Sequence, residues 1–277
     1  MIFKNKIETE VYYRGGSMEI QIKNVNVHYE IYGSGESTLL LLHGWMASIN
    51  AMAPIWQYFQ KDSKVVVLDF PGQGGTSEGL HEAWGVPEYA QMVKELMQQL
   101  GLQRPDVIGH SFGGRVIIYL ASQDPQLFHK IVLTDAAGIK PKTSLQKWLR
   151  IRSYKIAKAM LKAFSSSQTY EEKLNQLRKK YGSSDYGNLA SDVMRETFQK
   201  VISLDLRPEL KKIQNPTLLM WGENDTDTPL YMAKIMEKEI PDSGLVVLPK
   251  AGHFSYLDAS GQYNLVVENF LSSRKDE

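Results

Sequence analysis

The chain has 277 residues, of which 43% are hydrophobic, and its 32 basic and 31 acidic residues give a formal net charge of +1. A chain of this length can bury a large core, in one domain with an insertion or in two small domains, while its near-neutral charge argues against nucleic acid as a partner. The absence of cysteine excludes disulfides, thiolate nucleophiles and zinc-thiolate sites.

The first 17 residues mix charges throughout and lack the apolar core of a signal peptide. No apolar stretch approaches the length that spans a membrane. We therefore expect residues 1–17 to be an extension that adds little to the fold, and we expect the protein to be cytoplasmic.

Regular patterning starts at Met18. Alternating apolar residues from Ile20 to Ile31 predict two strands of a hairpin, with the turn near Lys23. The apolar blocks 39–42 and 65–68 are too short for helices and are typical of strands buried on both faces. A helix is predicted between these blocks, at residues 51–60.

The second half of the pattern alternates helices with strands. Pro87 and Gly101 bracket an amphipathic helix. Further strands are predicted at 105–108, 131–135, 216–222 and 245–248, and helices at 229–239 and 258–272 follow the last two of them. This alternation predicts an α/β protein with a mostly parallel, twisted sheet of roughly eight strands and helices on both faces.

One region departs from the alternation. Between Gly138 and about Arg207 the pattern is helical and contains no predicted strand, which indicates a helical insertion. Residues 139–180 include twelve basic residues and only two acidic ones. The simplest interpretation is a solvated helix face; contact with a membrane surface and attraction of anionic substrates are the alternatives.

The sequence Gly109-His110-Ser111-Phe112-Gly113 joins a predicted strand directly to a predicted helix. This G-x-S-x-G turn is so tight that side chains at the two flanking positions would clash with the neighbouring strand and helix. The turn holds the serine in a strained conformation and projects its hydroxyl from the top of the sheet at a helix N-terminus. Ser111 is therefore the candidate nucleophile.

A serine hydroxyl needs a base, usually an imidazole held by a carboxylate. On a turn of this type the base follows the serine with an acid between them. His129 follows Ser111 too closely, with Asp124 as the intervening acid, whereas His253 lies just beyond a predicted strand, where a loop would present it at the sheet edge of Ser111. His253 is therefore the candidate base.

The acid should also follow a strand. Asp225 is the preferred candidate, and Asp135 is the serious competitor because it too lies at the end of a strand. Asp227 is interpreted as an N-cap or first-turn acid of the helix that begins near Pro229.

A tetrahedral intermediate needs preorganised hydrogen-bond donors for its negative oxygen. The turn supplies the backbone N–H of Phe112, and the loop after the third strand supplies that of Trp45, so these two amides are the predicted oxyanion hole. The side chains of Trp45, Phe112, Trp148 and Phe254 are the candidates for substrate binding.

Five ordered motifs cover most of the chain: HGW at 43–45, DFPGQGGTS at 69–77, GHSFGG at 109–114, WGENDTDTP at 221–229 and AGHF at 251–254. Together they resemble the α/β-hydrolase superfamily, and HGW with GHSFGG resembles its small carboxylesterase and enol-lactonase branch. The resemblance implies Ser111 as nucleophile, Asp225 as acid and His253 as base. It also implies a core of residues 18–138 and 209–277 with a helical cap, or lid, at 139–208. Two features depart from the family pattern: Thr76 stands where relatives often have serine, and the cap is unusually basic.

These residues predict a serine hydrolase that cleaves an ester-like acyl bond of a small molecule, an ester or a lactone, through an acyl-enzyme. This chemistry requires no metal and no organic cofactor. Two alternatives remain open: a small-molecule receptor or regulatory hydrolase with slow turnover, and, less favoured, a lipase that works at a membrane surface. The sequence does not predict the oligomeric state, nor does it choose among ester, thioester, lactone and carbon-carbon bonds.

Overall fold

The computed structural model describes residues 18–74, 80–141 and 191–273, with short stretches at 152–154, 157–161, 170, 173–174 and 176. The predictions for the extension at 1–17, for Thr76 and for Trp148 lie outside the described residues.

In the described part of the chain, the strands form one sheet of eight; numbered in chain order, they have the order β1-β2-β4-β3-β5-β6-β7-β8 across the sheet. The first two strands form the predicted hairpin and pair antiparallel, as do β2 and β4, and the remaining pairs are parallel. The predicted mostly parallel sheet is confirmed. Its strands are β1 (Met18–Ile22), β2 (Val25–Tyr32), β3 (Ser37–Leu42), β4 (Ser63–Leu68), β5 (Asp106–His110), β6 (Ile131–Thr134), β7 (Thr217–Gly222) and β8 (Ser243–Leu248).

Helices cover both faces of the sheet, because the central strands are apolar on both sides. In β3, Leu40 and Leu42 pack into one core cluster with the helices at 86–99, 112–123, 192–203 and 230–239, whereas Leu39 and Leu41 pack into a second cluster with the helices at 53–59, 255–258 and 260–272. The helices in the described part of the chain are α1 (Ala53–Phe59), α2 (Val86–Gln99), α3 (Phe112–Gln123), α4 (Asp192–Ser203), α5 (Leu230–Glu239), α6 (Ser255–Asp258) and α7 (Ser260–Ser272), with 3₁₀ turns at Ile49–Met52 and Arg207–Lys212.

Two helix boundaries differ from those expected. The helix predicted at 258–272 is α7 and begins two residues later, at Ser260, because Ala259, with φ −132° and ψ 43°, is not helical and separates α7 from the short α6. The interpretation of Asp227 as a cap was wrong, since α5 begins at Leu230 with Pro229 in the capping position. The Asp227 amide instead donates to the Asp225 side chain, which holds this segment in a turn.

The parallel register brings the candidate site residues to one edge of the sheet. Leu42 pairs with Gly109, His110 with Thr134, and Gly222 with Leu248, so β3, β5, β6, β7 and β8 end side by side. Each of these ends is followed by a segment that carries a predicted site residue or a competitor. In a parallel sheet this carboxyl edge is where ligands bind.

The proposed insertion leaves and rejoins the core at one place. The Leu206 N–H donates to the Gly138 carbonyl at 2.8 Å, and the Lys140 N–H donates to the Asp205 carboxylate at 3.2 Å. The described residues between these points include α4 and short helical stretches, and none of them is in a strand.

The insertion's last helix is fastened to the core by Arg115 of α3. This buried guanidinium donates to the carbonyls of Val201 and Leu204, at the C-terminal end of α4. A cation at that position also meets the negative end of the helix dipole.

None of the helices in the described part of the chain combines the length and the apolar character that crossing a membrane demands.

Candidate active site

The turn between β5 and α3 has the strained geometry that its glycines predict. Ser111 has φ 48° and ψ −105°, a conformation that side-chain-bearing residues rarely adopt. A Cβ at Gly109 would lie 2.4 Å from the Ile117 side chain, and one at Gly113 would lie 2.1 Å from the Leu42 carbonyl oxygen. Both flanking positions therefore require glycine, and the tight turn lifts the serine hydroxyl above the sheet.

Ser111, His253 and Asp225 meet in one hydrogen-bonded chain. The Ser111 Oγ lies 3.0 Å from His253 Nε2, and His253 Nδ1 lies 2.9 Å from an Asp225 carboxylate oxygen. A carboxylate accepts hydrogen bonds, so Nδ1 carries the proton and Nε2 is free to accept the serine proton. The three residues lie 142 and 28 positions apart and are brought together by the ends of β5, β7 and β8.

The Asp225 carboxylate is held on both oxygens. Oδ1 accepts the backbone N–H groups of Asp227 and Thr228, and Oδ2 accepts the Thr228 hydroxyl at 2.7 Å as well as the His253 ring. The Asp225 side chain is fully buried. Four donors around one buried carboxylate stabilise its charge and fix its orientation toward the imidazole.

The pKa values of this pair move apart. Burial opposes the charge of Asp225, but the hydrogen bonds from His253 and Thr228 outweigh it and hold the Asp225 pKa below its usual range. Burial likewise opposes the charged form of His253, yet the hydrogen bond and the charge of Asp225 outweigh it and raise the His253 pKa. The ionised carboxylate therefore stabilises an imidazolium at His253.

Asp135, the competing acid, has another position. Its buried carboxylate accepts the N–H of Gly222 at 2.8 Å and that of Ser255 at 3.0 Å, and no hydrogen bond joins it to His253 among the described residues. Burial raises the Asp135 pKa to about 7. Asp135 thus joins the end of β7, which precedes Asp225, to the start of α6, which follows His253.

The loop after β3 lies against the serine turn. A Cβ at Gly44 would be 2.6 Å from His110 Nδ1 and 3.4 Å from Ser111 Cβ, so only a glycine allows this approach. Among the described hydrogen bonds, none occupies the backbone N–H of Trp45 or that of Phe112. These unoccupied donors lie in the two segments from which the oxyanion amides were predicted.

Two buried side chains, Gln73 and His43, form hydrogen bonds that hold the loop after β3 in place. Gln73 accepts the Met46 N–H at 2.6 Å. The fully buried His43 donates from Nδ1 to the Gly44 carbonyl and accepts the Phe70 N–H on Nε2. His43 is neutral in this arrangement, and burial lowers its pKa accordingly.

The predicted substrate-binding side chains have different surroundings. Phe112 is 2% exposed and packs against Phe70 and Tyr89, so its ring belongs to the core and offers little surface to a ligand. Trp45 lies between the rings of Phe112 and Phe198, at 5.4 and 5.3 Å. Phe254 is 42% exposed, beside the His253 ring.

Sequence reasoning did not single out four contributors: Thr228, His110, Gln73 and Phe198. The sequence did contain a signal for Thr228, because an aspartate side chain commonly accepts hydrogen bonds from backbone N–H groups a few residues after it. His110, Gln73 and Phe198 act across 143, 27 and 153 residues respectively, distances that only the fold reveals.

Comparison with known proteins agrees with this architecture. A model of the alpha/beta hydrolase fold family matches residues 37–260. The chain is 25% identical over 255 residues to the uncharacterized hydrolase YugF of Bacillus subtilis, which covers 84% of this chain and 89% of the relative. It is 24% identical over 273 residues to the 2-hydroxy-6-oxo-6-phenylhexa-2,4-dienoate hydrolase of Comamonas testosteroni, over 92% of this chain and 94% of the relative.

A solved structure shows the same fold at lower identity. The enol-lactonase from Burkholderia xenovorans LB400 superposes with a TM-score of 0.71 at 19% identity, over 92% of this chain and all of the other. The matched segment runs from β3 to the start of α7 and so contains the serine turn and both partners of Ser111. The protein therefore belongs to the α/β hydrolase fold family and is a hydrolase of that fold.

Proposed function

We propose that this protein is a serine hydrolase that cleaves an ester-like acyl bond of a small molecule. The observation that carries the proposal is the continuous chain from the Ser111 hydroxyl through His253 to Asp225, at 3.0 and 2.9 Å. These distances are within the range in which an imidazole takes a proton from a serine as the serine attacks.

The reaction follows from the positions of the groups. Ser111 Oγ attacks the acyl carbon while His253 Nε2 takes its proton, and the amides of Trp45 and Phe112 donate to the resulting oxyanion. His253 then gives the proton to the leaving group, and an acyl-enzyme forms. Water, deprotonated by the same imidazole, attacks the acyl-enzyme and releases the acid, after which Ser111 regains its proton.

Small molecules with a carboxylic ester or a lactone are the proposed substrates. The relatives carry names that indicate a carbamate hydrolase, an enol-lactonase and a hydrolase of 2-hydroxy-6-oxo-dienoates. The substrates in these names are all small molecules that contain a carbonyl group. The Trp45 and Phe198 rings beside the site favour an apolar acyl group.

We also propose that residues 139–208 form a cap over this site. The support is that both ends of the segment meet at Gly138 and Leu206, and that its last helix places Phe198 against Trp45. In this arrangement the cap decides which substrate enters, and the core performs the reaction.

The decisive variant is Ser111→Ala, assayed with p-nitrophenyl acetate and butyrate. We expect its turnover to fall to the background rate, since alanine cannot form the acyl-enzyme, while circular dichroism and melting temperature stay close to those of the unmodified protein. Ser37→Ala is the matched control, because Ser37 is exposed at the opposite edge of the sheet and bonds to Ser63. Activity retained in Ser111→Ala would refute the proposal.

A substrate panel separates this proposal from its alternatives. We expect turnover within about 1–1,000 per second on at least one short-chain ester or lactone. Turnover far below that range on the whole panel would favour a receptor. Salt-dependent sedimentation with anionic liposomes would favour a lipase at a membrane surface.

A further inference from the structure

His110 lies at the end of β5, directly before the candidate nucleophile, and is 1% exposed. Its Nε2 lies 2.8 Å from the backbone carbonyl oxygen of His253, 143 residues away. A carbonyl oxygen can only accept a hydrogen bond, so the proton of His110 is on Nε2. The residue before the nucleophile is thus bonded to the backbone of the residue that activates it.

The other side of the ring faces the loop after β3. His110 Nδ1 is buried and has no hydrogen-bond partner among the described residues. A Cβ at Gly44 would lie 2.6 Å from it, so the ring fills the space against Gly44. Burial lowers the His110 pKa to about 3, which keeps the ring neutral. A second positive charge beside His253 is thereby avoided when His253 takes the serine proton.

The loop between β8 and α6 carries His253, and this loop packs against the His110 ring. The rings of His253, Phe254 and Tyr256 lie 5.0, 5.0 and 5.1 Å from that of His110. Within the described part of the chain, the His253 carbonyl accepts the hydrogen bond from His110 and no other. The neighbouring Ser255 N–H is held separately by Asp135.

We propose that His110 is a positioning residue: its Nε2–H holds the His253 backbone, and its ring braces Gly44, so that base, nucleophile and oxyanion loop keep one alignment. The inference rests on the proposed hydrolysis by Ser111. His110 does not touch substrate and acts through His253. Because a displacement of about 1 Å can cost on the order of a hundredfold in rate, one hydrogen bond at this place is sufficient to affect turnover.

The test compares His110→Met with His110→Gln. Methionine fills a similar volume without a donor, whereas the glutamine amide places an N–H near the position of Nε2. We expect kcat to fall about 10- to 100-fold in His110→Met, with KM changed less than about threefold, and we expect His110→Gln to recover most of kcat. His129→Met is the matched control, because His129 pairs with Asp106 at the opposite edge of the sheet.

A second measurement does not need turnover. In the Ser111→Ala background, NMR titration of the His253 ring should give a lower pKa when His110 is also replaced by Met, because a displaced ring loses part of its bond to Asp225. An unchanged His253 pKa overturns the positioning role, even if the protein proves not to hydrolyse esters. Equal kcat values for the Met and Gln variants also overturn it, while the proposed function stands if Ser111→Ala is inactive.

If His110→Met does not fold, His110→Asn takes its place. The shorter asparagine amide reaches the position of Nδ1 and not that of Nε2, so a kcat as high as that of His110→Gln would contradict the proposal. A kcat well below that of His110→Gln, in a variant with an unchanged melting temperature, would support it.

Discussion

Asp225 and Asp135 show that two carboxylates at neighbouring strand ends can have opposite environments. Asp225 receives four donors, including the His253 ring, and its pKa lies below the usual range. Asp135 receives two backbone N–H groups, and burial raises its pKa to about 7. The first is suited to stabilising a cation and the second to holding two segments together.

The different environments lead to different effects of the same substitution. We expect Asp225→Asn to lower kcat by about 10³- to 10⁴-fold, because an amide cannot stabilise the imidazolium and favours the wrong tautomer of His253. In Asp135→Asn the fall should be no more than about tenfold, since the amide oxygen still accepts one of the two N–H groups. Steady-state kinetics on the best ester of the panel measures both, and a larger loss in Asp135→Asn would reverse the assignment of the acid.

The sequence was sufficient to predict those site residues that local motifs and the order nucleophile, acid, base along the chain identify. The glycine-flanked Ser111 and the position of His253 beyond a strand are local signals, and the structure brings both side chains together. Asp225 and Asp135 both follow strands, and the sequence could not exclude either, because the choice depends on which carboxylate faces the His253 ring. The contact of His110 with the His253 carbonyl was also unreadable, since β5 and β8 are separated by β6 and β7 in the sheet.

At the scale of elements, the turn between β5 and α3 connects the chemistry to the packing of the sheet. Gly113 lies so close to β3 that its N–H bonds to the His43 carbonyl at 3.1 Å. On the same helix, Arg115 holds the end of α4. One helix thus follows the proposed nucleophile directly, packs against the loop predicted to supply an oxyanion amide, and holds the last helix of the proposed cap.

A glycine-to-alanine pair tests the packing of this turn. We expect Gly113→Ala to destabilise the protein by more than about 3 kcal/mol or to prevent folding, because its Cβ would lie 2.1 Å from backbone atoms that cannot move without shifting β3. Gly244→Ala in β8 is the control, since its Cβ meets nothing within 4 Å. Its effect should stay within about 0.5 kcal/mol. Urea denaturation measures both, and a Gly113→Ala protein of normal stability would contradict the geometry.

At the scale of the whole molecule, Asp135 makes stability depend on pH. The pKa of Asp135 is about 7 in the folded protein, above its ordinary value of 3.8, so the folded state retains this proton at pH values where the unfolded state has lost it. The stabilisation from the protonated form is complete below the unfolded pKa and is lost as pH rises from about 4 to about 7. Other groups titrate in this interval, so the effect of Asp135 must be isolated by a variant.

Asp135→Asn isolates it, because the amide stays neutral at every pH. We expect the unfolding free energy of the variant, relative to that of the unmodified protein, to increase by about 1–3 kcal/mol between pH 4.5 and pH 7.5. Urea denaturation at the two pH values gives this difference, and Asp62→Asn, at an exposed position, is the comparison. A difference that does not change with pH would show that Asp135 is ionised throughout.

The hydrogen bond between the Leu206 N–H and the Gly138 carbonyl holds together the two points at which the chain leaves the core and returns to it. Because its ends are joined there, the proposed insertion can change in length or composition without displacing the strands that position Ser111, Asp225 and His253. Substitutions confined to the proposed cap are therefore expected to alter which substrates are accepted, while the residues proposed for the chemistry stay in place.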